Sequence, residues 1–261
     1  MKVAFKLAIV HIITFIIMII LNYSSATNVG DIANQDQPLI QPAGFAFSIW
    51  GVIYVLLLIW ILRTFLSGRS TRGVYERVGI LPSINFLLNG AWIIAFTQQW
   101  LAVSTIIIFL LLITLVVMYL RITNSRDAKF FDRLPFSMYL GWITVASIAN
   151  VFVTFVQNDV PTFLGLNEMA WSVIMLLIGA ALAVGITLYF KDVIYPLVIV
   201  WSYVAIFAET PSTFIQVITV VSVIVILAIF FTCRTTKSTS TLSLRSVDAT
   251  RNHRVNVRVE C

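Results

Sequence analysis

Residues 44–66 read GFAFSIWGVIYVLLLIWILRTFL, an apolar run unbroken by charge until Arg63. Its length matches the roughly 20 residues that a helix needs to cross a hydrocarbon core of about 30 Å, whereas a barrel strand would alternate in polarity over about ten. The rest of the chain is of the same kind, with 60% hydrophobic and only 11% charged residues in a length of 261 and a mean hydropathy of +0.98. Such a composition excludes a soluble globular domain. It predicts an all-α, polytopic helical membrane protein.

About eight transmembrane helices are expected, over residues 4–22, 44–66, 78–97, 101–121, 134–156, 169–190, 193–208 and 212–233. The seventh is the shortest, and charge argues for keeping it. With eight spans, all 17 lysines and arginines fall on one side, while Asp31, Asp36, Asp159, Glu168 and Glu209 fall on the other with no basic residue among them. Because cytoplasmic loops hold the excess of positive charge, both termini are expected in the cytoplasm and the chain in a plasma membrane, by default a bacterial one. Omitting the seventh span would put the basic tail outside. The first span follows Lys2 and Lys6 and ends near Ser24-Ser25-Ala26, but it is long for a signal peptide and is expected to be retained. The two cysteines, Cys233 and Cys261, supply neither a disulfide framework nor a zinc pattern.

Between the first two spans, Asn22 to Ala43 is expected to be a polar outer loop, long enough to act as a lid over the bundle. From Arg234 to Cys261 the chain turns polar and basic, with six basic residues against Asp248 and Glu260. This tail is expected to be disordered and offers a contact with anionic lipids. The net charge of +6 is accounted for by membrane topology, so nucleic acid is not an expected partner. No internal repeat suggests the architecture of many secondary transporters.

Ionisable groups inside spans mark pumps and membrane enzymes, because burying them is costly. His11 is the one such group here apart from tyrosines, and no paired carboxylate, HExxH, phosphate loop or nucleophile elbow is present. No metal site, required cofactor or enzymatic activity is expected. What stands out instead is a set of aromatic and amide residues at helical spacing: Trp50 with Tyr54, Asn85 with Asn89, Trp92 with Phe96, and Trp142 with Ala146 and Asn150, one turn from Tyr139. The amides either bond neighbouring helices or meet a ligand's polar groups. In span three, Pro82 and Gly90 are available to bend the helix. In span six, Gly179 with Ala183 and Ala181 with Gly185 fit close helix approach, within the bundle or in a homodimer.

Three of these stretches resemble the TspO/MBR family of tryptophan-rich sensory proteins and translocator proteins. They are PAGFAFSIWGVIY over 42–54, LNGAWIIAF over 88–96 followed by Leu101-Ala102-Val103, and YLGWITVASIAN over 139–150. Their order and internal spacing match the family's. Departures are Ser48 where the family has a proline, Met138 with Pro135 displaced upstream, and Thr105 at a commonly acidic position. The likeness covers roughly residues 1–157, and the chain adds three helices (158–233) and the basic tail (234–261).

The resemblance implies a five-helix bundle with a pocket for a hydrophobic, tetrapyrrole-like ligand such as porphyrin or haem, acting as sensor or carrier. Carried over position by position, the ligand-binding residues are Trp50, Tyr54, Asn89, Trp92, Tyr139, Trp142 and Asn150. A small-molecule transporter or permease subunit is the alternative, and a structural or regulatory partner in which the tryptophans only pack is a third.

Overall fold

In a computed structural model, the structure describes residues 2–33, 37–66, 69–158 and 162–233. The basic tail, and with it the expected lipid contact, lies outside the described residues. The described elements are α1 (Lys2–Ala33), a 3-10 turn (Gly44–Ser48), α2 (Ile49–Leu66), α3 (Arg69–Val78), α4 (Leu81–Thr97), α5 (Leu101–Thr123), α6 (Phe130–Val156), a small antiparallel hairpin of β1 (Thr162–Phe163) and β2 (Leu166–Asn167), α7 (Glu168–Phe190) and α8 (Tyr195–Glu209). A last helix, α9, covers Thr213–Cys233.

Eight helices coincide with the eight expected runs, and the chain is an all-α polytopic membrane protein. Among the described residues, six apolar segments are long enough to cross a membrane, while Leu81–Thr97 and Tyr195–Glu209 are shorter apolar helices. Five helices close a ring by pairwise packing: α1 on α2, α2 on α6, α6 on α5, α5 on α4, and α4 back on α1. Outside the ring, α8 lies on α6 and α7 on α8. One hydrophobic core holds residues from Phe15 to Ile226, so it draws on both sides of position 157.

Two glycines set the approach of α8 to its neighbours. A Cβ on Gly141 would stand 2.9 Å from Val198 Cβ, and one on Gly179 would stand 2.5 Å from the Tyr203 hydroxyl. These clearances seat α8 against α6 and α7. Tyr203 there donates to the Leu176 carbonyl. The Gly179 and Ala183 face thus packs inside the chain, while Ala181 and Gly185 are exposed.

Several boundaries differ from expectation for physical reasons. The polar stretch after Asn22 is in large part helical, because α1 continues to Ala33. Residues 37–43 are laid onto the bundle: Leu39 N–H donates to Glu168 Oε1 at 2.7 Å, and Ala43 N–H to the Ala205 carbonyl at 3.1 Å. Before span three there is a separate amphipathic helix, α3, whose Val74, Tyr75 and Val78 are buried. It stops at Gly79, which has φ +62 and returns its N–H to the Tyr75 carbonyl at 3.0 Å, a left-handed helix end that glycine favours. Pro82 then stands in the first turn of α4, where it starts the helix instead of bending it. Gly90 does not bend α4 either; it admits Leu21 of α1, whose Cδ1 would be 2.7 Å from an added Cβ.

The two ends of the bundle differ in charge. At one end Arg63 pairs with the fully buried Asp132 at 3.2 Å, and Arg133 with Asp192 at 3.4 Å. Asp192 also accepts from Tyr119 at 2.7 Å and from the Ile194 N–H that opens α8 at 2.8 Å. The opposite end carries Glu168 and Glu209 and, among the described residues, no lysine or arginine.

Candidate functional site

The ring brings three tryptophans from three helices into one cluster. Trp50 of α2 lies edge-on to Trp92 of α4 at 5.9 Å between centroids and to Trp142 of α6 at 6.4 Å. Phe47 closes the cluster, 5.6 Å from both Trp50 and Trp142, and Phe96 stacks on Trp92 at 5.4 Å. Edge-to-face pairs of this kind contribute about 0.5–1.5 kcal/mol each beyond area burial. The local sequence accounts for the placement. Trp50 rides the first turn of α2 just after the 3-10 turn, and Trp92 and Phe96 are four apart on one face of α4.

These rings border a small cavity of about 40 Å³, whose wall also includes Gln41, Ala146 and Asn150. Around it stand polar groups with nothing to bond: Trp50 Nε1, Trp142 Nε1 and Gln41 Oε1 are buried and have no hydrogen-bond partner among the described residues. Unpaired buried donors and acceptors of this kind cost roughly 1–3 kcal/mol each. The cavity has room for a water molecule. It is far below the roughly 300–1,000 Å³ of drug-sized ligand pockets, so a macrocycle enters only if the rings separate.

The third tryptophan is satisfied. Trp92 Nε1 donates to Asn150 Oδ1 at 2.9 Å, while Asn150 Nδ2 donates to Thr105 Oγ1 at 2.8 Å and to Ser104 Oγ at 3.1 Å. Asn150 thereby ties α4, α5 and α6 together at the cavity wall. Thr105 is part of this knot and also bonds Thr154 at 2.9 Å.

Tyr54, Asn89 and Tyr139 sit elsewhere. They form a relay across four helices in which Tyr54 donates to Asn22 Oδ1 at 3.0 Å, Asn22 Nδ2 to Asn89 Oδ1 at 2.7 Å, and Asn89 Nδ2 to Tyr139 at 2.7 Å. For Asn89 the structure favours the helix-bonding use of a membrane amide. Of the seven residues singled out from sequence, Trp50, Trp92, Trp142 and Asn150 line the cavity, and the other three hold the ring together around it. Asn85 likewise bonds across helices, to Thr114 Oγ1 at 2.7 Å and the Leu111 carbonyl at 3.1 Å. His11 bonds Ser83 at 2.7 Å through Nδ1. Among the described residues no group of three or more His, Cys, Asp or Glu could hold a metal.

Sequence reasoning missed Gln41, Phe47 and Asn22. Phe47 lay inside a quoted motif without a spacing partner to draw attention. Asn22 stood at the edge of its span, where an amide reads as the start of a loop.

A second, larger cavity of about 410 Å³ opens between the end of α6, the hairpin and the start of α7. A narrow void of about 20 Å³ lies between the two cavities, sharing Val145 and Ala149 with the first and Met175 with the second.

Among known proteins, the family model described as TSPO-like protein matches residues 8–233. That match runs through α7, α8 and α9 as well as the five-helix ring. No curated protein and no solved structure matches.

Proposed function

The chain belongs to the TSPO-like family, and from that premise we propose that it binds a hydrophobic, tetrapyrrole-like ligand in the tryptophan cavity, as a sensor or carrier. One observation carries the reading: three indoles from three helices converge on a void where two indole N–H groups and the Gln41 carbonyl oxygen are left unpaired. Ordinary lipid-facing packing does not call for this. A flat macrocycle bearing carboxylates would stack between the rings and accept from the indoles. The cavity enlarges by separation of Phe47 and Trp142, and ligand favours that open form by its differential affinity for it.

The basic end of the bundle faces the cytoplasm in this reading, and the acidic end faces out. One feature favours the carrier form: the string of voids runs from the tryptophans to the large cavity at the acidic end, while ion pairs tie α2 to α6 and α6 to the α7–α8 link at the other. The reaction asked of the protein is binding, not bond-making.

Titration of purified protein with protoporphyrin, read by quenching of tryptophan fluorescence, tests the proposal beside a Trp50→Phe/Trp142→Phe variant. Saturable quenching is expected in the parent, with affinity at least about tenfold weaker in the variant, a difference of about 1.4 kcal/mol. Equal affinities in two folded samples, or no saturable binding, would overturn it. Loss of thermal stability in the variant without a change in affinity would favour the structural-partner reading. Counterflow of protoporphyrin in proteoliposomes separates carrier from sensor.

A further inference from the structure

The 410 Å³ cavity beside the hairpin at the acidic end has its own chemistry and shares no lining residue with the tryptophan cavity. Its wall is a continuous aromatic surface built from three elements. Phe155 near the end of α6 stacks on Phe163 of β1 at 4.9 Å and 29°, and Phe163 meets Trp171 of α7 at 5.8 Å. Trp171 Nε1 donates to the Phe163 carbonyl at 2.8 Å, which fixes the indole against the hairpin. Phe152 and Met175 add further apolar lining.

Among the described residues, one charged side chain stands in this wall, Glu168. It lies three residues before Trp171 on α7, so both project to the same side of the helix. Leu39 N–H donates to its Oε1 at 2.7 Å, which pins the carboxylate in place. A position in the first turn of α7 suits a negative charge, because the helix dipole favours it. The helix dipole does not explain an aromatic wall beside it. Among the described residues, no lysine or arginine stands at this end to neutralise the carboxylate.

We propose that this cavity is a binding site for an organic cation, an amine or quaternary ammonium with an apolar or aromatic body. The positive head pairs with Glu168 and lies over the face of Trp171, where cation–π attraction is strongest among the aromatics. The apolar body lies against the wall formed by Phe152, Phe155 and Phe163. The volume lies within the range of drug-sized ligand sites. An anion is repelled by Glu168 and by Glu209 at the same end, and a lipid tail leaves the carboxylate without a counter-charge.

Calorimetric titration of the full chain in nanodiscs of zwitterionic lipid, with empty nanodiscs as the blank, tests the site. The probes are 4-phenylbutylammonium and the oppositely charged 4-phenylbutyrate. Saturable binding of the ammonium alone is expected, at least tenfold weaker in Glu168→Gln, whose amide oxygen can still accept from Leu39, and unchanged in Trp50→Phe/Trp142→Phe. Equal binding of both ions, unaltered affinity in folded Glu168→Gln, or no saturable binding of the ammonium each overturns the proposal. Discrimination between the two probes is measured on the parent protein, so it decides the matter even if the Glu168 variant fails to fold.

Discussion

Asn89 shows how a membrane amide is used when its neighbours can be named. It accepts from Asn22 and donates to Tyr139 within a buried relay that begins at Tyr54. Replacing it with leucine leaves Asn22 and Tyr139 each short of one partner. Penalties for unsatisfied buried groups run to about 1–3 kcal/mol, but interhelical hydrogen bonds in membranes average only about 0.6. The smaller figure governs, since Asn22 Nδ2 keeps the Met18 carbonyl at 2.9 Å. Asn89→Leu is therefore expected to destabilise the detergent-solubilised protein by about 1 kcal/mol, with a comparable loss for Asn22→Leu. The double variant should lose less than the sum, because both changes break one bond. Thermal unfolding of the four proteins checks this. Protoporphyrin affinity should be unchanged in Asn89→Leu, which separates the relay from the cavity wall. At this scale the sequence was legible where aromatics recur every four residues on one wall, as in Trp92 and Phe96, and not for Trp50 and Tyr54, which part company between the cavity and the relay. It was silent about which helix each of the two amides on α4 meets, Asn85 the fifth and Asn89 the first and sixth, because that depends on register between helices far apart in the chain.

Helices were legible as apolar runs, and their ends were not. The stretch 69–78 carries three arginines and one glutamate and reads as a loop by hydropathy, yet Val74, Tyr75 and Val78 give it one apolar stripe that the bundle end covers. The connection 157–168 likewise read as a plain loop, since two-residue strands have no periodicity to detect. It holds a hairpin whose turn residues Leu164 and Gly165 have φ of 51 and 79. Two consecutive positive φ values are the mark of a type I′ hairpin turn, for which Asn-Gly is the preferred pair. Leucine is strained in that region. Leu164→Asn, at an exposed position, is expected to stabilise the hairpin by about 1 kcal/mol, seen as slower hydrogen exchange at Phe163 and Leu166 with an unchanged global melting point. The opposite effect is expected where α8 meets α6. Valine at Gly141 would drive into Val198, whose Cβ is only 2.9 Å from the site of a new Cβ. Overpacking of that kind costs about 1–3 kcal/mol, so Gly141→Val should lower the melting temperature, and a paired Val198→Ala should recover part of the loss.

For the molecule as a whole, charge separation is the property that the chain's linear order predicts and the three-dimensional arrangement preserves. Arg63, Arg77, Arg121, Arg133 and Lys191 come together at one end, drawn from five different helix ends or links. Asp132 and Asp192 are buried beneath them and tie α2, α6 and α8 at that end. A fold with one span fewer would scatter these residues between both ends. The same separation predicts an orientation through the positive-inside rule, with the basic end in the cytoplasm, and accessibility tests it directly. In a background with Cys233 and Cys261 replaced by serine, a single cysteine is placed at Gln99, at the turn between α4 and α5, or at Arg126, at the turn between α5 and α6. Sealed right-side-out vesicles are then treated with a membrane-impermeant maleimide. Gln99→Cys should label in intact vesicles, and Arg126→Cys only after permeabilisation. The reverse pattern would turn the bundle over, placing the 410 Å³ cavity on the cytoplasmic side. Its occupant would then come from inside the cell, and Glu168 would face cytoplasmic amines in place of external ones.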